Sequence, residues 1–430
     1  MTARRTAYAV VAACCAVPRL AVLFHERDSI TAAFTEKSDT FAQVFVKYGT
    51  FGLVPGEPSA YTQPLYGWFL IPVYWIFGRS WLSIGLFQIA LAIVTALLVY
   101  EIGRRVLNAR AGVVAAGIAT LNPYLAWHDV HMNREIVDQV CAAALVLLTL
   151  LVVERRSRAL AVLLGVVGGL AMLGNSRLVF LPILVAVYVG WRLPRTRASA
   201  LVVALVLAGS AVAVAPWLIR NEVNVGCVAV TTDGRALWKA NNTQTYELLS
   251  SGHWIDDVKH IPRQTKPNYY TPDDARGYFD KGLPTLARNL YPDECSQMSF
   301  FEHRTFLFWE RHPGEKAKLM ALSAKLLWQP SVFETTGRNG AGQRLDSGRR
   351  IAEPAYMWAL YVLAAGGLFF APRAFTALAL LLLAYQTAAA LAFVGATRYR
   401  VAWDFLLAVL ATAALTRAVA WGRSRRRAAG

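Results

Sequence analysis

The short loops of this 430-residue chain almost lack acid. Sixteen basic residues lie in them: Arg4, Arg5, Arg104, Arg105, Arg110, Arg155, Arg156, Arg158, Arg192, Arg195, Arg197, Arg373, Arg423, Arg425, Arg426 and Arg427. Only Glu101 and Glu154 oppose them. No Walker or dinucleotide fingerprint and no internal repeat is present, so nothing points to nucleotide binding or to a repeat architecture. Paired broken helices of the transporter kind are missing as well. The first apolar block, Ala7 to Phe24, has no clear small-residue cleavage site and reads as a retained helix. Cysteine is sparse, with five in all. Cys14, Cys15 and Cys141 fall in apolar segments as small hydrophobes, whereas Cys227 and Cys295 fall outside them. A disulfide between that last pair and two free thiols are both open, since spacing does not reveal geometry.

What the chain has in abundance is apolar sequence. It is 56% hydrophobic with a mean hydropathy of +0.38, gathered in blocks of roughly 18 to 25 residues, the length that crosses a bilayer. A formal charge of +17 could suggest nucleic acid, but the basic residues sit in alternate connections between apolar blocks, as the positive-inside rule requires. No nucleic-acid partner is needed to explain them.

The expected fold is therefore an all-α polytopic membrane protein with about ten transmembrane helices and a mixed outer-face domain. The expected spans are 7–24, 82–102, 111–127, 136–153, 159–175, 178–191, 199–219, 355–371, 375–395 and 401–420. They form an N-terminal membrane module over 1–220, with a first outer loop at 25–80, and a C-terminal one over 354–430. Between them 221–353 forms a large outer segment. QPLYGWFLIPVYWIFG, in the first loop, suits a helix lying at the interface. FFEHRTFLFWERHPGEKAKLMALSAKLLW reads as two helices broken at Pro313 and Gly314, and ETTGRNGAGQRLDSGRR as a linker. Both termini are expected in the cytoplasm of a bacterium, with the chain in its plasma membrane.

On that topology an uneven set of charges meets at the outer face: Asp28, Glu36 and Asp39; His128, Asp129, His131, Arg134 and Glu135; Arg177; Arg398 and Arg400. Carboxylates beside arginines suit phosphate displacement at a lipid–water boundary, the acid taking a hydroxyl proton and the guanidiniums holding the departing phosphate. Each has a plainer reading. Asp28 and Glu36 suit solvated loop charges, and Arg177, Arg398 and Arg400 suit snorkelling at helix ends; Arg19 could do either. His128 and His131, three residues apart, would share one helical face and could join a divalent-metal or acid–base cluster, although the spacing is no zinc signature. The acceptor-like Asn241, Asn242, Thr243 tripeptide is given no role.

Several segments, in order, resemble one group of enzymes. These are SDTFAQVFVKYGTFG, QPLYGWFLIPVYWIFG, LNPYLAWHDVHMNRE, APWLIRNEVNVGCVAVTTDGRALWKANN, ERHPGEKAKLMALSAKLLW and GATRYRVAWDFLLAVLA. Together they resemble the bacterial glycosyltransferases of the GT-C superfamily that use polyprenyl-phosphate sugars, the group of protein O-mannosyltransferases and lipid A aminoarabinose transferases. The resemblance implies an inverting transfer of sugar from polyprenyl phosphate to a hydroxyl of a glycan, lipid or protein at the outer face. It implies Asp39 as catalytic base, Glu135 or Asp129 as a second acid orienting acceptor or metal, and Arg177, Arg398 and Arg400 on the donor phosphate. It also implies a strand-like stretch after the PW-x-x-RN segment. The chain departs from the pattern at Thr40 and Phe41, and at Gln63 before the proline of the interfacial helix. A lipid or solute flippase and a non-catalytic assembly protein are the competing classes.

Overall fold

The computed structural model describes residues 2–31, 37–262, 293–332 and 347–429. Glu36 and most of the linker sequence lie outside the described residues. The architecture is helical throughout, and its order follows the apolar blocks. The first half comprises α1 (Thr2–His25), α2 (Lys37–Tyr48), α3 (Pro64–Phe77), α4 (Trp81–Val106), α5 (Ala109–Thr120), α6 (Pro123–His128), α7 (Glu135–Arg155), α8 (Arg158–Gly174), α9 (Leu181–Arg192) and α10 (Arg197–Val225). After two short helices, α11 (Gly234–Lys239) and α12 (Thr245–Ser250), come α13 (Glu294–Arg311) and α14 (Pro313–Trp328). α15 (Ser347–Gly367), α16 (Arg373–Ala392), α17 (Thr397–Val401) and α18 (Asp404–Ala429) close the fold. Among the described residues six helices, α1, α4, α7, α10, α16 and α18, are long and apolar enough to cross a membrane, and α3, α5 and α8 are shorter apolar ones.

The boundaries have local causes. Ser80, Asn108, Ser157 and Thr196 each accept a backbone N–H in the first turn of α4, α5, α8 and α10, satisfying donors that a helix start leaves orphaned. The expected span 111–127 is two helices, because Asn122 caps a new start and Pro123 takes its first position, where a missing N–H costs nothing. The expected two helices are present, but α13 and α14 part at His312, and Pro313 and Gly314 open α14 rather than break it. The expected strand-like stretch is not one: among the described residues there is only an isolated bridge, Val54 to Glu57, and α11 begins at Gly234. α3 is the short, proline-led helix of the first loop.

Packing between α8 and α10 depends on small residues. A Cβ on Gly165 would meet the Val206 carbonyl oxygen at 2.1 Å, and one on Gly209 the Val162 carbonyl oxygen at 2.4 Å. Where no hydrophobic driving force separates helix from lipid, such close backbone approach is what holds two helices together. At one end of the bundle Glu101 of α4 gathers Arg4 at 2.6 Å, Arg104 at 2.7 Å and also Arg105, joining the start of α1 to the end of α4.

Candidate active site

Asp39 stands in the first turn of α2, where the positive end of the helix favours a carboxylate, and is 1% exposed. Arg79, between α3 and α4, grips it with Nε 3.0 Å from Oδ1 and Nη2 2.9 Å from Oδ2. Tyr74 of α3 donates its phenol to Oδ1 at 2.6 Å. A carboxylate has about four acceptor sites, so these three donors orient it and leave one. The Tyr74 oxygen also lies 3.7 Å from Met132 Sδ, which ties Asp39 to the turn that carries the next cluster.

That turn, 129–134, is built from amides. Gln88 donates to the carbonyls of Asp129 and His131 at 2.9 and 2.8 Å, and fully buried Asn133 donates to the carbonyl of His131 at 2.8 Å. The arrangement delivers Arg134 and Glu135 to the start of α7. Arg134 donates to Gln63, the cap residue of α3, and Gln63 donates in turn to Ser176 at 3.0 Å. Glu135 is 3% exposed, with Arg398 Nε 3.8 Å from its Oε1 and His128 Nε2 3.7 Å from its Oε2. Arg398 donates to the Tyr399 phenol at 2.6 Å, and the Arg177 guanidinium lies 3.4 Å over the same ring.

Two guanidiniums thus meet at one phenol, with Arg134 adding to their field. Burial would raise the Tyr399 phenol, but Arg177, Arg398 and Arg134 outweigh it and bring the phenol below its ordinary value. Burial, with Arg134 and Arg398 adding to it against Tyr399, draws Arg177 down to about 10, still charged at neutral pH. Such a cluster suits a phosphate, which takes charge-assisted hydrogen bonds from several guanidinium forks.

Two expected site residues are elsewhere. Asp129 is wholly buried against Arg19, 2.7 Å from its Nη2, and accepts from Gln139 at 2.7 Å. Arg400 is also wholly buried, held by Asp404 at 2.9 Å and by the carbonyls of Leu327 and Gln329 at 2.7 and 3.0 Å. Both are spent on structural partners and present nothing to a ligand, because a charge in so dry a place is kept only when paired. The histidine pair fails for a geometric reason: α6 ends at His128, so the three-residue spacing is not helical. His131 stacks on Trp127 at 3.7 Å with Nδ1 2.9 Å from its carbonyl, whereas His128 stacks on Tyr124 at 4.8 Å. Burial pushes His131 down to about 4. Among the described residues no three His, Cys, Asp or Glu groups converge on a point that could hold a metal ion, and Asp39 already has a guanidinium against it.

Asp28 is an exposed loop charge near Arg27. Arg79 was not anticipated, and Arg134 stood only among the outer-face charges; the one signal for Arg79 was its place directly after the interfacial helix, next to Gly78. Residues after α10 pack against the first loop. Cys227 and Cys295 are joined by a disulfide, Lys37 pairs with Asp233, and Glu294 accepts from the Ala60 N–H at 3.0 Å and the Thr232 hydroxyl at 2.8 Å. Asn241 accepts from Lys316 at 2.6 Å and from Trp309 at 2.9 Å, joining the NN turn to the HPG helix.

Residues 57–219, less than half of the chain, match the family described as dolichyl-phosphate-mannose-protein mannosyltransferase. The archaeal oligosaccharyltransferase AglB from Archaeoglobus fulgidus, solved with an inhibitory peptide and a dolichol-phosphate, superposes over 98% of this chain and 52% of its own, with a TM-score of 0.55 at 12% identity. The chain has a GT-C fold. An apo form of the Archaeoglobus fulgidus enzyme gives 0.53 at 15% identity over the same shares. ArnT from Cupriavidus metallidurans bound to undecaprenyl phosphate gives 0.35 at 14% identity, over 93% of this chain and 76% of its own. No curated protein sequence matches. The chain spans about half the length of the AglB structure it matches.

Proposed function

We propose that the chain is a membrane glycosyltransferase that moves a sugar from a polyprenyl-phosphate donor to a hydroxyl acceptor by one inverting displacement. The observation that carries this reading is the pair of guanidiniums, Arg177 and Arg398, held on Tyr399 beside Glu135, together with the carboxylate of Asp39 oriented by Arg79 and Tyr74, in a fold shared with AglB. The guanidiniums hold the donor phosphate. The acceptor hydroxyl takes the remaining acceptor site of Asp39 and loses its proton there as its oxygen attacks the anomeric carbon; the sugar–phosphate bond breaks, and the electron pair leaves on phosphate. A leaving phosphate needs no general acid. Arg79 and Tyr74 keep the carboxylate aimed, and Glu135 serves the sugar rather than the proton. With basic loops on the cytoplasmic side of a bacterial inner membrane, the site opens outward and the segment after α10 covers it and selects the acceptor.

The test is transfer of radiolabelled sugar from a panel of polyprenyl-phosphate donors to membrane extract, with the full chain in lipid. The wild type is expected to consume one donor, and Asp39→Asn to lose roughly 10²- to 10⁴-fold in rate while keeping the thermal transition of the wild type. Wild-type rates in Asp39→Asn, or no donor consumed, would sink the proposal and favour lipid transport.

A further inference from the structure

Three buried polar atoms of the Glu135 and His128 side chains, Glu135 Oε1 and both ring nitrogens of His128, have no hydrogen-bond partner among the described residues. Both side chains are about 3% exposed. The nearest charged contacts, 3.7 Å from His128 to Glu135 and 3.8 Å from Arg398 to Glu135, are too long for direct hydrogen bonds. Burying such atoms unpaired is costly, so groups left this way are kept for what they bind.

Resting on the transferase reading above, we infer that these two side chains form the subsite that reads a ring hydroxyl of the donor sugar, the one on the carbon next to the anomeric centre. The chemistry matches on both sides. A hydroxyl has one proton to give and lone pairs to receive: it donates to Glu135 Oε1 and accepts from an imidazole N–H of His128. The position along the sugar follows from Arg398, which adjoins Glu135 on one side and the Tyr399–Arg177 pair on the other. A phosphate on those arginines sits one guanidinium away from Glu135. The first hydroxyl that reaches past it is on the carbon beside the one bearing the phosphate. His128 is held flat against Tyr124, and the first turn of α7 places Glu135 beside it.

The experiment measures binding of three lipids to the full chain in nanodiscs: a polyprenyl phosphate without sugar, a polyprenyl-phosphate hexose, and the 2-deoxy form of that hexose donor. The hexose is the one consumed in the transfer assay. The wild type is expected to prefer the hydroxylated donor over its 2-deoxy form by roughly 10- to 100-fold, the value of a hydrogen bond to a charged group. Glu135→Gln and His128→Phe, the latter keeping the stack on Tyr124, are expected to erase that preference and to bind the sugarless lipid at least as tightly as the wild type. Equal binding of the two donors by the wild type overturns the inference, and this arm needs no variant to fold. Loss of the sugarless lipid in both variants also overturns it, assigning the pair to the phosphate or to the fold. Failure of the wild type to bind any of the three lipids would instead remove the transferase reading on which the subsite rests.

Discussion

The Arg19–Asp129 pair allows a stability measurement that separates structure from chemistry. Asp129 Oδ2 accepts from Arg19 Nε at 2.9 Å and Nη2 at 2.7 Å, and its Oδ1 accepts from Gln139 at 2.7 Å. Replacing Asp129 by Leu leaves a guanidinium that still reaches the Cys15 carbonyl and the Thr120 carbonyl and hydroxyl at 3.0 to 3.1 Å, but with no counter-charge. An unpaired charge buried this fully costs about 3–5 kcal/mol, and Arg19→Met, which strands the carboxylate, should cost a similar amount. The double variant removes both charges and should lose only about 1–3 kcal/mol, the penalty of leaving the Gln139 amide unsatisfied. The cycle therefore predicts a coupling of about 3 kcal/mol or more, read from unfolding equilibria in mixed micelles. Additive single costs, or singles under about 1 kcal/mol, would refute the reasoning. Lost sugar transfer in Asp129→Leu at wild-type stability would return Asp129 to the chemistry.

Three further outcomes are expected. His131, held near 4 instead of the ordinary 6.5, stays neutral in the fold while the unfolded chain protonates. Its contribution is therefore present above pH 6.5 and lost as pH falls towards 4, by at most about 3 kcal/mol; His131→Gln should flatten an unfolding curve across that window, and an unchanged slope would contradict the assignment. Reducing the Cys227–Cys295 bridge, or replacing both by Ala, should lower the stability of the segment after α10 by about 2–4 kcal/mol, visible as faster proteolysis there. Gly165→Ala pushes a methyl into the Val206 carbonyl and should cost about 1–3 kcal/mol in thermal denaturation, whereas Gly314→Ala, with open space around it, should cost far less.

Much of the membrane architecture was legible because it depends on composition along the chain. Apolar length places helices in a bilayer, basic residues mark the connections, and Asn or Ser before an apolar run starts a helix whatever surrounds it. The order of the SDTF, HDVHMNRE, HPG and RYR segments was enough to identify the resemblance that the family match over 57–219 and the AglB fold bear out. What a one-dimensional reading could not rank was a set of charges that look alike in sequence. Asp39 and Asp129 are both acids near helix ends, and Arg398 and Arg400 are two residues apart. Only the fold decides that Asp129 meets Arg19 and that Arg400 turns inward to Asp404. It likewise decides that Arg398 reaches Glu135, that Arg79 clamps Asp39 across 40 positions, and that α6 stops at His128 and parts the two imidazoles. Helix formation is local and writes itself into short stretches of sequence. Whether a charge is spent on a neighbour or kept for a ligand depends on partners distant in the chain, and only tertiary packing brings those together.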